Sequence, residues 1–128
     1  MKIVICRSNR FHKQALDFAR ELEHLGHIVH YPPRVSGTAA WNRMSKSEKL
    51  VAVRKLVDDH FKAIDEAEIV LVINVAGYIG VSVNIEIGYA VAKNKRIFVT
   101  CPDTDMPRAI LYEGIAETPA MLRDILQE

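Results

Sequence analysis

The chain has 128 residues, 17 basic against 16 acidic side chains, and an isoelectric point near 7.8. That length suits one domain, residues 1–128, able to bury a core without disulfides or a metal, and the balanced charge gives no electrostatic case for a nucleic-acid polymer or an anionic membrane as partner. No apolar run is long enough to span a bilayer, no charged and apolar leader precedes the first strand, and the only cysteines, Cys6 and Cys101, form no CxxC pair, so they read as reduced thiols of a cytoplasmic protein.

Taken in order, residues 2–6 (KIVIC) predict a first strand, and the polar turn Arg7-Ser8-Asn9-Arg10 leads into a helix whose apolar positions are Phe11, Ala15, Phe18, Leu22 and Leu25. That spacing puts them on one face. Gly26 is a left-handed stop, and residues 27–31 predict a second strand closed by Pro32-Pro33. The unit is βαβ, so its first turn, with Ser8 and Arg10, opens on the edge of the sheet where ligands bind. Residues 34–44, with Gly37 and the single tryptophan Trp41, show no periodicity and read as a loop, either a flap over that edge or an ordinary surface excursion. Ser45-Lys46-Ser47-Glu48 is a capping-box pattern, and Leu50, Val53, Val57, Phe61 and Ile64 then mark a long helix to about Ala67.

The centre of the chain follows. Residues 69–75 form an apolar, β-branched run interrupted only by Asn74, which suits a strand buried on both faces of a parallel sheet. Gly77 and Gly80 bracket Tyr78 and Ile79 in a turn, Ser82 is placed to cap the next helix, and Glu86 falls about one turn inside it, where the helix field favours an ionised carboxylate. Residues 96–101 supply a further strand, 102–107 a turn-rich loop, 108–112 a short helix, 114–117 a short edge strand, and 119–126 a last helix capped by Thr118. The sum is an α/β, flavodoxin-like or Rossmann-like three-layer sandwich with four or five parallel strands in the order 2-1-3-4-5.

The chemistry is narrowed first by what is missing. There is no GxGxxG, no P-loop GKS or GKT and no GxSxG elbow. His27 and His30, three apart in a strand, point to opposite faces, so the histidines form no metal cluster and no cofactor is expected. A carboxylate at a helix start on the crevice remains. Such a group can attack the anomeric carbon of a sugar and trap the oxocarbenium-like transition state as a glycosyl ester. Glu86 is also compatible with a plain complement to its helix dipole, Ser8 with a helix cap, Arg10 with a solvated loop residue, Tyr78 with a loop anchor and His60 with half-buried packing.

The segment AEIVLVINVAGYIGVSVNIEIGYAVAKNKRIFV resembles the core of the nucleoside 2-deoxyribosyltransferase-like superfamily, and the opening IVICRSNR resembles that family's first strand and substrate loop. The resemblance implies that Glu86, in its E-I-G-Y-A setting, is the nucleophile at C1 of a nucleoside or nucleotide, that Ser8 and Arg10 match the S-x-R pattern holding a 5′-phosphate in the deoxynucleoside 5′-monophosphate N-hydrolase branch, and that Ser82 lies near another polar contact; the glycine turn itself offers Gly77, Gly80 and Tyr78 as further substrate-binding residues, with Tyr78 placed to stack on a base. It also implies a homodimer or higher homo-oligomer in which Met106 and the 102–107 loop reach a neighbouring site. Two positions depart from the pattern. Gly80 stands where transferases carry an aspartate, and His60, beside Asp58 and Asp59, stands where the family has a second acid, which makes His60 the acid/base candidate. The alternative is a nucleotide-binding or sensing module of the same fold without turnover.

Overall fold

The computed structural model describes residues 1–127. β1 (Lys2–Arg7) is followed by a 3-10 turn (Asn9–Phe11), α1 (His12–His24) and β2 (Ile28–His30). Then come α2 (Ala39–Arg43), α3 (Lys46–Glu66), β3 (Ile69–Ile73), α4 (Val81–Ala92), β4 (Arg96–Val99), α5 (Met106–Ala109), β5 (Gly114–Ile115) and α6 (Pro119–Leu126). All five strands pair in parallel in the order β2-β1-β3-β4-β5.

The period-two alternation of the strands divides the core. Ile3, Ile5, Leu71 and Phe98 pack against Ala15, Ala19 and Leu22 of α1 and Leu122 of α6. Val4, Cys6, Val70, Val72 and Val99 pack against Ile64 of α3 and Val83, Ile87 and Ala90 of α4. Helices thus cover both faces, as a parallel sheet requires. The alternation also sets how each strand residue meets the site, because Cys6 packs with the α3 and α4 layer while Arg7, the last residue of β1, donates to Pro32 O. Among the described residues no helix is long and apolar enough to cross a membrane.

Several expected boundaries shift for local reasons. α3 begins at the expected capping box, with Ser45 Oγ accepting from Glu48 N and Glu48 Oε1 from Ser45 N. β3 stops two residues early because Asn74 turns its backbone N–H to Thr100 Oγ1 and its side-chain amide to Cys101 O. The 34–44 segment is not all loop: Thr38 accepts from Trp41 N and starts the single-turn α2, too short to show a period. α5 begins two residues before the expected 108, capped by Asp105 with Pro107 in its first turn. Ser82 is not the cap of α4. Gly80 holds that position with extended backbone and no side-chain cap, and Ser82 is the second helical residue.

The turn after β3 is also centred differently. Ala76 (φ 53°) and Gly77 (φ 82°) occupy its two middle positions, with Tyr78 N donating to Val75 O. Two consecutive left-handed residues make this a type I′ turn.

Candidate active site

The connections from β1 and β3 leave the sheet in opposite directions, and the crevice of an open α/β sheet forms where they part. A cleft of about 470 Å³ lies there. Its floor comes from the segments after β1 and β3, including Arg7, Ser8, Tyr78 and Gly80. Val53, Leu56 and Val57 of α3 form one side, and Pro32, Pro33, Val35 and Trp41 another, so the stretch read as either flap or surface excursion walls the cleft. Lys49 stands 5.1 Å from the Trp41 ring and ties that wall to α3.

Glu86 lines the cleft from the second turn of α4, its side chain 19 % exposed. Its Oε1 lies 3.5 Å from His60 Nε2, and its Oε2 is buried without a partner. The carboxyl is not held ionised by the helix, as the sequence suggested. Burial lifts it from 4.5 to about 7, against the opposing pull of a Cys6 hydrogen bond and the Arg7 charge. That lift is worth roughly 3 kcal/mol, whereas a macrodipole contributes about 0.3–1 kcal/mol and only within its first turn.

His60 projects from α3 and is almost wholly buried. Its Nε2 contacts Cys6 Sγ at 3.3 Å as well as Glu86. Burial, then the His30 and Arg7 charges, depress it to about 4, so the imidazole is neutral and its 3.5 Å approach to Glu86 is not an ion pair. His60 Nδ1 is buried without a partner. Cys6, from β1, completes the cluster: one ligand atom from each of Cys6, His60 and Glu86 lie within 4.8 Å of one another. Burial and the neighbouring Glu86 push the Cys6 thiol up, so it stays protonated.

Of the residues expected to hold substrate, Ser8, Tyr78, Gly80 and Ser82 line the cleft. Ser8 also caps the 3-10 turn, its Oγ accepting from Arg10 N. A side chain at Gly80 would point at Ser8, 3.6 Å away. Gly77 lies outside the cleft against Pro102 O, and Met106 is exposed and also outside it. Arg10 does not line the cleft: its guanidinium sits 4.1 Å over the Tyr78 ring and faces solvent. The cation on the cleft wall is Arg7, which donates to Asn9 Oδ1 and Pro32 O and keeps its Nε buried without a partner.

Arg7 and Cys6 are the residues the sequence reading missed. The strand ran to residue 6 and the resemblance drew attention to the arginine three positions further on. The one available signal was the ambiguous end of β1, where an apolar run meets a polar turn.

No family model matches the chain, and no curated protein matches it. Solved structures do. The CMP N-glycosidase BcmB of Clostridium botulinum aligns with a TM-score of 0.58 at 17% identity, over 99% of this chain and 98% of that one. A 2-deoxyribosyltransferase of Bacillus psychrosaccharolyticus gives 0.53 at 19% identity, over 83% and 76%. The likeness is one of fold: this chain shares the parallel α/β architecture of these two enzymes.

Proposed function

We propose that this protein breaks the N-glycosidic bond of a nucleoside or nucleotide, by hydrolysis or by deoxyribosyl transfer, with Glu86 as nucleophile. One observation carries the reading: a carboxyl group stands on the wall of a cleft at the sheet's switch point, with one oxygen against a neutral imidazole. The likeness in fold to an N-glycosidase and a deoxyribosyltransferase supports it. A cleft of about 470 Å³ is within the ordinary range for a small-molecule site.

In this reading the sugar lies with C1 over Glu86. As the bond to the base lengthens, positive charge grows on the sugar ring and favours the carboxylate form, which closes on C1 to give a glycosyl ester. The base leaves with the bonding electrons as an anion and takes a proton from solvent; water or a second base then attacks C1, gives up a proton and restores the carboxylate. His60 Nε2, placed against Glu86, orients the carboxyl group and holds its charge as the ester forms and breaks. Ser8, Ser82 and Arg7 hold hydroxyl or phosphate oxygens, and the Tyr78 ring, braced by Arg10 and by Phe11 at 5.7 Å, offers an apolar face to the base.

The test is release of free base from a panel of ribo- and deoxyribonucleosides and their 5′-monophosphates. Wild type is expected to release base from at least one, and Glu86→Gln to do so at least about a thousandfold more slowly. No release from any substrate, or equal release by both proteins, overturns the reading.

One observation favours a second reading. His60, where relatives carry an acid, has its Nε2 engaged by Cys6 and Glu86, which leaves the departing base without a proton donor from that position. A module that binds a nucleotide without turnover would show a raised melting temperature with nucleotide and no free base on long incubation.

A further inference from the structure

We propose that Cys6, His60 and Glu86 form a site for a thiophilic divalent cation of the zinc type, opening onto the cleft. The proposal concerns the metal-binding capacity of the cluster and does not depend on Glu86 acting as a nucleophile.

The donor set is the first argument. A thiol, an imidazole and a carboxyl group, one each from β1, α3 and α4, are the three ligand types zinc takes, and three protein ligands with a fourth position open is the arrangement of accessible zinc centres. Distances are the second. Zinc bonds of about 2.3 Å to sulfur and about 2.0–2.2 Å to nitrogen or oxygen, in tetrahedral array, separate the ligand atoms by roughly 3.3–3.6 Å. Two of the three edges are already there: Cys6 Sγ to His60 Nε2 is 3.3 Å, and His60 Nε2 to Glu86 Oε1 is 3.5 Å. The remaining sulfur-to-carboxylate edge falls within the 4.8 Å spread of the cluster, which a small rotation of the Glu86 carboxyl closes.

Unused bonding capacity is the third. Glu86 Oε2 is buried without a partner, so the carboxyl group has bonding capacity that its present contacts leave unused. Two nearby features limit the affinity. Arg7 brings positive charge close, although its terminal nitrogens are committed to Asn9 and Pro32 O. His60 Nδ1 has none of the outer hydrogen bonds that tighten metal-bound histidines. The site is therefore built for a reversibly held ion.

Loading is charge-balanced without redox chemistry. The thiol proton, and the carboxyl proton where present, pass to solvent as the sulfur and oxygen bond the cation, which remains divalent. His60 binds neutral through Nε2, and its remaining proton sits on Nδ1. His60 and Glu86 line the cleft, so water would reach a fourth position from that side. An ion so placed ties down the Glu86 carboxyl.

The experiment is titration of the metal-free protein with Co²⁺ alone, reading the near-ultraviolet thiolate-to-cobalt charge-transfer band. One equivalent is expected to develop the band and Zn²⁺ to discharge it. Cys6→Ser is expected to lose the band. Because Cys6 is buried, Glu86→Gln, at a more accessible position, serves as the second variant and is expected to bind Co²⁺ at least about tenfold more weakly. No charge-transfer band in the wild type, a band that survives in folded Cys6→Ser, or unchanged binding by Glu86→Gln overturns the proposal. No substrate enters the measurement, so its failure leaves base release by Glu86 standing, and absence of base release leaves the metal site standing.

Discussion

Two arginines three residues apart show what a pattern of residues conveys and what it leaves out. The S-x-R spacing drew attention to Arg10, but the short 3-10 turn after Ser8 carries Arg10 outward onto Tyr78, while Arg7 is the arginine on the cleft wall. The strand's length decides this, since β1 runs one residue further than its apolar stretch and buries its last side chain. The two positions therefore behave differently. Arg10→Ala removes only an exposed cation–π contact of about 0.5–1 kcal/mol, and is expected to weaken nucleotide binding no more than about fivefold. Arg7→Ala removes the wall cation and the brace to Pro32 O, and is expected to abolish the rise in melting temperature that a nucleoside 5′-monophosphate gives the wild type. Calorimetric titration and melting curves on both variants check this, and equal losses would contradict it. Glu86 was legible through its E-I-G-Y-A setting. Its contact with Cys6 was not, because the two lie 80 positions apart and meet only when β1, α3 and α4 pack together.

At the scale of single elements, start and stop signals were readable wherever a side chain closes on its own backbone, as at Ser45 and Thr118. They failed where long-range contacts decide, as at Asn74, or where a helix starts without a side-chain cap, as at Gly80. Two elements around α4 carry consequences for stability. Ala76 sits at φ 53° in the type I′ turn that presents Tyr78, and a left-handed alanine costs about 1 kcal/mol or more relative to residues that tolerate that region. Ala76→Asn is expected to stabilise by about 1 kcal/mol in urea unfolding, with Tyr78 undisturbed; a lower midpoint would show that the turn is not strained.

The 102–107 loop is held by Asp103, whose side chain is fully buried. It accepts two bonds from Arg108, at 2.7 and 2.8 Å, and one from Tyr112 at 2.8 Å. Arg108 also donates to Asn84, so this staple fixes α5 to the helix that carries Glu86. The Arg108 bonds, set against burial, hold the Asp103 carboxyl down from 3.8 to about 2. A depressed folded-state value means the stabilisation, about 2 kcal/mol, is complete above the unfolded value near 4 and is lost as pH falls through about 2. Asp103→Asn is expected to lower neutral-pH stability by about 2 kcal/mol and to flatten the acid limb of the stability–pH curve between about 4 and 2. An unchanged acid limb would mean that other carboxylates dominate acid unfolding.

Over the whole molecule, the strand order was legible because βαβ units join parallel strands with one handedness and buried strands read as continuous apolar runs. What the strand order could not convey is how the outer faces of the helices are used. On α4, Val81 and Ile85 are exposed on one side of the helix, and Val81 shares the cleft rim with Val53 and Val57 of α3. Met106 of the neighbouring α5 and Ile110 just past its end are 78 % and 81 % exposed. Exposed apolar side chains on neighbouring helices are what a self-complementary interface uses. The homodimer expected from the family resemblance thus has a surface to use. Sedimentation velocity at micromolar concentration is expected to give a dimer, and Ile85→Lys to give a monomer of unchanged helix content, because a lysine buried in such an interface would be desolvated without a partner. If the 102–107 loop of one copy completes the neighbouring site, the monomeric variant should also lose nucleotide binding although Ile85 is not among the cleft-lining residues. A wild type that sediments as a monomer at every concentration would remove both the interface and any shared site, and would leave the cleft of one chain to act alone.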